Sequence, residues 1–149
     1  MQQRTRKKHS ATISSGEVLD ADIRELNLVP VCFLLATSQQ WPLARIRRAE
    51  LEYRLFLQMV RNNPRQIPVP SLDADQFWHG HLQCLELYVD DCQRLFGRLL
   101  LHYPFAGAFG GSDTRRQRRR FQESQARLAE MRGARRPART NLRQPRRQP

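Results

Sequence analysis

The sequence has few cysteines and no long hydrophobic run. Its three cysteines, Cys32, Cys84 and Cys92, form no C-x-x-C pair, which argues against a disulfide framework and for a reducing compartment. The apolar run VPVCFLLA at 29–36 has eight residues, whereas a membrane-spanning helix needs roughly 20. Acidic residues precede this run, so it lacks the order of a signal peptide. We therefore expect a cytoplasmic protein with no membrane partner.

Strand signals and glycine-rich phosphate-binding motifs are also missing. No strand pattern competes with the helical patterns of the chain. The glycines at 97–113 fit neither G-x-G-x-x-G nor a P-loop, and no strand precedes them. The sequence therefore gives no support for a nucleotide-phosphate cradle.

Acidic residues are scarce at both ends of the chain. Residues 1–10 have four basic and no acidic side chains, and residues 114–149 have thirteen arginines against two glutamates. The segment 11–113 has a net charge of −3, although the whole chain has +12. The basic character therefore belongs to the ends, and it says nothing about what the middle of the chain binds.

Helical periodicity is what the sequence does contain. In two long segments the apolar residues step by three and four positions, which predicts helices near 42–62 and 72–96. The first stripe consists of Ile46, Ala49, Tyr53, Phe56 and Val60, and the second of Trp78, Leu82, Leu85, Val89, Cys92 and Phe96.

Further signals mark helix boundaries. Ser71 or Asp73 begins the second of these helices, and Asp73 is spaced to form a D-x-x-Q capping box with Gln76. A last helix begins at Asp113 or Thr114. Its apolar residues are Phe121, Ala126, Leu128 and Met131.

These elements predict an all-α fold, a compact bundle of four to five helices with disordered basic N- and C-terminal tails. We divide the chain into a disordered basic arm at 1–14, a helical domain at 15–133 and a disordered, arginine- and proline-rich tail at 134–149. Near the start of the domain, Pro30 kinks or divides a helix.

The polar residues of the domain follow one motif, D-x-x-W-H-x-H followed by D-C, F-G and H. Through this motif the segments 51–60, 69–82, 88–107 and 111–113 resemble the glycine-rich domain-containing protein family of plants and bacteria. The resemblance implies a helical fold and a polar cluster, and it implies no reaction. The matching residues are Tyr53, Phe56, Leu57, Pro70, Asp75, Trp78, His79, His81, Tyr88, Asp91, Cys92, Phe96, Gly97, His102 and Pro104.

Asp75, His79 and His102 form the main candidate site. Asp75 and His79 are four residues apart and share a helix face, and His102 lies in a loop that can fold back to join them. A carboxylate and two imidazoles fit a divalent metal such as zinc or iron. They equally fit an Asp–His pair that orients a general base, or a structural polar network that anchors the loop.

His81 points roughly 200° away from His79 on a helix. In a continuous helix it is also too far from Cys92 to share a metal. We expect Cys92 to be a small core residue, since no histidine lies near enough to activate it. A second candidate site is a groove lined by Trp78, His81, Tyr88 and Asp91; the alternative is that these residues are core and helix edge.

The arginines near the C-terminus predict contact with a polyanion. Phe121 is the only aromatic residue after Phe109, so there is no stacking platform for bases, and any nucleic-acid binding should be non-specific. The alternative is a solubilising tail. The candidate contacts are Arg115, Arg116, Arg118, Arg119, Arg120, Arg135 and Arg136.

Two functions follow from these observations. The first is a non-catalytic helical binding or scaffold module with a structural Asp/His network and an arginine-rich tail that contacts polyanions. The alternative is a small metal-dependent enzyme that uses Asp75, His79 and His102. The sequence specifies no substrate and no protein partner.

Overall fold

The computed structural model describes residues 18–102 and 111–134, which form helices and no strand. The predicted all-α bundle is therefore confirmed for these residues. Five helices have ten or more residues and one is a single turn. The helices are α1 (Ala21–Arg24), α2 (Val29–Ser38), α3 (Leu43–Asn62), α4 (Leu72–Gln83), α5 (Leu85–Phe96) and α6 (Gly111–Ala134).

α1 and α2 are separate helices, and Pro30 lies in the first turn of α2, where a proline costs no intrahelical hydrogen bond. None of the helices in 18–102 and 111–134 is both long and apolar enough to cross a membrane. The predicted arm at 1–14 lies outside the described residues, as does the tail at 134–149 beyond its first residue.

Helix α3 is the centre of the bundle because it is buried on more than one side. All five residues of its predicted stripe are buried, and so are Leu55, Leu57 and Met59 on other faces. Helices α1, α2, α4 and α6 all pack against it. The helix predicted near 42–62 is confirmed, with Pro42 as its N-cap residue.

The second predicted helix is not continuous. At Cys84 the backbone takes ψ 61°, which ends α4 and begins α5 in a new direction. Leu85 and Val89 of the predicted stripe are 62 % and 44 % exposed. The buried face of α5 contains Tyr88, Asp91, Cys92 and Leu95, of which only Cys92 belongs to the predicted stripe. The break exposes two apolar side chains and lets α5 pack its polar residues against α4.

Helix α6 begins at Gly111, earlier than predicted, and is anchored by three polar contacts. Arg120 donates to the carbonyl of Ile67 at 2.7 Å, and the hydroxyl of Ser124 accepts from the Val69 amide at 2.9 Å. In the last turn, Arg132 forms an ion pair with Glu52 of α3. Of the four predicted apolar residues, Leu128 is buried and Met131 is half-buried, whereas Phe121 and Ala126 are exposed.

Candidate metal centre

The start of α4 determines where Asp75 and His79 lie. Ser71 is the N-cap residue, and its hydroxyl accepts from the amide of Ala74 at 3.2 Å. Asp73 lies in the first turn of α4 and is not the N-cap residue, so it cannot form the predicted capping box with Gln76. Its carboxylate accepts instead from Arg45 at 2.9 Å and from Arg48 at 2.9 Å. Partial burial acts to raise the pKa of Asp73, but the two arginines together outweigh it, so the pKa is lowered.

The structure brings Asp75, His79 and His102 together. The Nε2 atom of His102 is 3.0 Å from Oδ1 of Asp75 and 3.1 Å from Nε2 of His79. Nε2 of His79 is 3.8 Å from Oδ2 of Asp75. One ligand atom from each residue therefore lies within 4.8 Å of the others. No other group of three or more metal-ligating side chains occurs in the described ranges.

These distances suit a bound cation. Two ligand atoms about 2.1 Å from one ion, at neighbouring coordination positions, are about 3.0 to 3.4 Å apart. Two of the observed separations, 3.0 and 3.1 Å, are already in this range. The third separation is longer, 3.8 Å between Nε2 of His79 and Oδ2 of Asp75, and His79 is the most exposed of the three residues.

Trp78 positions His102 from the side. The two rings meet edge-on with centroids 4.6 Å apart. The indole N–H of Trp78 donates to the hydroxyl of Tyr88 at 2.9 Å, and that hydroxyl donates to the carbonyl of Leu100. Because Leu100 is two residues before His102, the Tyr88 hydroxyl connects α4 and α5 to the segment that presents the loop histidine.

The four residues of the predicted groove, Trp78, His81, Tyr88 and Asp91, are all buried. This burial favours the alternative that they are core residues, and of the four Trp78 also lines a cleft beside the candidate metal site. Nδ1 of His81 lies 2.9 Å from the hydroxyl of Tyr53, a residue that the sequence assigned to the apolar stripe. Nε2 of His81 lies 3.4 Å from Oδ2 of Asp91. Tyr53, His81 and Asp91 thus form a second polar group inside the bundle.

Burial is the main cause of the pKa shifts of Tyr53, His81 and Asp91. It lowers the pKa of His81 to about 4 and raises the pKa of Asp91, whose other oxygen accepts from Arg94 at 2.7 Å. It also raises the pKa of Tyr53 well above its usual range. His81 is therefore neutral at pH 7. The tautomer of the neutral ring sets whether Nδ1 accepts from the Tyr53 hydroxyl or donates to it. Nε2 and the facing Oδ2 of Asp91 have no hydrogen-bond partner within the part of the chain that the structure describes.

Cys92 is buried, and burial raises the pKa of its thiol. A raised pKa keeps the sulfur protonated at neutral pH, and the thiol is a poor nucleophile in that form. This fits the expectation that Cys92 is a core residue.

The predicted arginine contacts divide into three groups. Arg115, Arg116, Arg118 and Arg119 are exposed on the first turns of α6. Arg120 is half-buried and bonded to Ile67, so it does not belong to that exposed surface. Arg135 and Arg136 lie outside the described residues.

Comparison with known proteins identified no relative of this chain. No family model, no curated protein and no solved structure matches the chain. The resemblance to the glycine-rich domain-containing family stays a prediction.

Proposed function

We propose that the protein is a helical metal-binding module in which Asp75, His79 and His102 bind one divalent transition metal. The observation that carries this proposal is the double contact of the His102 Nε2 atom, 3.0 Å from Asp75 and 3.1 Å from His79. A neutral imidazole nitrogen has either one proton or one lone pair. A hydrogen-bond network therefore uses only one of these contacts well, whereas a cation between the three residues is bound by all of them.

The donor set favours zinc or iron. Imidazole nitrogen suits both metals, and two histidines with one carboxylate leave further coordination positions open. An open position is what a metal-dependent enzyme needs, so this proposal includes the alternative function predicted from the sequence. The purely structural Asp/His network differs from it in one measurable respect, because such a network binds no metal.

The test is a metal titration of the purified full chain after chelator treatment. We expect one Zn²⁺ or Fe²⁺ per chain, with a stoichiometric end point and release of the metal on acidification, because the two imidazoles must be neutral to bind. A chain that takes up no stoichiometric metal at pH 7 would reduce the cluster to a structural network and leave the scaffold function.

A second candidate function, contact with nucleic acid, is supported by an arrangement of charges on α6. Arg115, Arg116 and Arg118 are exposed and form no ion pair with a carboxylate in the described ranges, whereas Arg119 pairs with Glu123 at 3.1 Å. Arg115 and Arg118 are three residues apart on α6, and like charges at this spacing on a helix repel one another. Bound phosphates would offset that repulsion.

We expect affinity for a short DNA duplex to fall steeply with salt, because bound arginines release condensed counterions. Replacing Arg115, Arg116 and Arg118 by glutamine should reduce the slope of log affinity against log salt by about 3. The matched control replaces three exposed arginines of the helical body, Arg47, Arg65 and Arg98, and should leave the slope almost unchanged. Removal of residues 134–149, with six further arginines, should weaken binding again. Equal slopes for the two triple variants would contradict the role of α6.

We also propose that the protein resides in the cytoplasm. All three cysteines are free thiols, and burial together with the neighbouring Glu50 raises the pKa of Cys32 to about 11. Free cysteines of this kind are typical of a reducing compartment.

A further inference from the structure

A cleft with a volume of about 470 Å³ adjoins the candidate metal site. Its walls come from the segment 67–70, from α4 and from α6, and Asp75 and His102 are among its lining residues. This volume lies within the range of roughly 300 to 1,000 Å³ that is typical of small-molecule pockets. Two of the three proposed metal ligands therefore face space that a small molecule can occupy.

Apolar side chains line the same cleft while remaining exposed. Leu72 is 70 %, Leu101 is 71 % and Phe121 is 41 % exposed, and all three line the cleft. They come from three separate parts of the chain, yet they meet at one place. A local concentration of large exposed apolar residues around a concave surface is typical of a ligand site.

The charges of the cleft favour an anion. Arg120 is half-buried in the α6 wall, and one of its five N–H donors is used by the carbonyl of Ile67. Its guanidinium charge is thus held in place by a backbone contact, with further donors available. A divalent metal at Asp75, His79 and His102 would outweigh the single negative charge of Asp75, so the cleft would be positive overall.

From these features we infer that the cleft binds a small organic acid with an aromatic or branched apolar body, an inference that rests on the proposed metal function. The acid group occupies an open coordination position of the metal and is attracted by Arg120. The apolar body packs between Leu72, Leu101 and Phe121.

Two hydroxamates test this inference, because they share one metal-binding anionic head and differ in the apolar body. Benzohydroxamate has a phenyl ring and acetohydroxamate has a methyl group. Titration calorimetry on the zinc-loaded full chain should show benzohydroxamate binding at least about ten-fold more tightly, the amount expected for partial burial of a ring.

Substitutions in the cleft test separately where the phenyl ring and the hydroxamate group bind. Phe121→Ala and Leu101→Ser should each reduce the preference for benzohydroxamate to within about three-fold, while zinc affinity stays unchanged. Phe33→Ala is the matched control, since Phe33 is an exposed aromatic residue on α2 and does not line the cleft. Arg120→Gln should weaken both hydroxamates by the same factor.

The outcomes separate this inference from the proposed function. If zinc does not bind stoichiometrically, the metal function fails and the ligand inference fails with it. If zinc binds but the two hydroxamates have equal affinity, or if Phe121→Ala and Leu101→Ser leave the preference unchanged, the metal function stands and the cleft is not the ligand site.

Discussion

Replacing His102 by alanine should lower the affinity of the chain for Zn²⁺ on the order of a thousand-fold. Loss of a residue that only supports a metal ligand already lowers metal affinity roughly 10- to 100-fold, and a direct ligand contributes more. His102 is the ligand whose Nε2 atom contacts both other residues, at 3.0 and 3.1 Å. Without it, Asp75 and His79 are a two-ligand pair with a separation of 3.8 Å. Competition with a chromophoric chelator measures the affinity.

The chain offers a matched control for this variant. It has four histidines, of which His79 and His102 belong to the cluster and His81 is buried elsewhere. His79→Ala should resemble His102→Ala, whereas His9→Ala should bind zinc as the unchanged chain does. Circular dichroism should show the same helix content in all of these proteins. If His9→Ala and His102→Ala lose affinity equally, the zinc is not bound at this cluster.

Acidification from pH 7 to pH 5 should remove about 2 kcal/mol of the free energy of unfolding through His81 alone. The pKa of this residue is about 4 in the folded chain, against about 6.5 when unfolded. Because the folded value is the lower one, the unfolded state takes up the proton first. The stabilisation is therefore complete above about pH 6.5 and is lost progressively towards pH 4.

His81→Gln isolates this effect, because glutamine is neutral at every pH and still offers a polar contact to Tyr53. Urea unfolding of both proteins at pH 7 and pH 5 should show the unchanged chain losing about 2 kcal/mol more than the variant. All other side chains are the same in both proteins, so the comparison isolates position 81.

Asp91 faces His81 and has the opposite effect on the free energy of unfolding. Burial raises the pKa of Asp91, so protonation at lower pH removes the cost of burying its negative charge. Tyr53 and Tyr88 also face His81, and they stay protonated throughout this range because burial raises the pKa of both. Equal losses in the two proteins would mean that Asp91 stabilises the protonated imidazole as an ion pair.

The sequence predicted α3 well and the junction of α4 with α5 badly, for one physical reason. The stripe from Ile46 to Val60 is buried, so its periodicity reports the packing directly. At 83–85 there is no proline or glycine, and the residues present are all compatible with a helix. The break accompanies the pairing of Tyr88 with Trp78 and Leu100 and of Asp91 with His81. These contacts join side chains of neighbouring elements, and apolar periodicity does not detect them.

The contacts of the polar residues also divide into those that sequence spacing predicts and those that it does not. Asp75 and His79 are one helical turn apart, so their proximity could be predicted from spacing. His102 could be proposed as a third member because its segment was free to fold back. Tyr53 could not be identified as the partner of His81, because a tyrosine in an apolar stripe looks like any other core residue until its hydroxyl is placed.

The buried carboxylate of Glu52 affects how the protein tolerates sequence change. It accepts from Ser71, the N-cap residue of α4, and it pairs with Arg132 in the last turn of α6. Helix α4 holds two of the proposed metal ligands, and α6 forms a wall of the cleft. A substitution at position 52 therefore affects the start of α4 and the end of α6 at once. Surface positions on either helix can change without affecting the other helix. Divergence of this chain should proceed freely on the exposed faces of α4 and α6 and be strongly constrained at this one position between them.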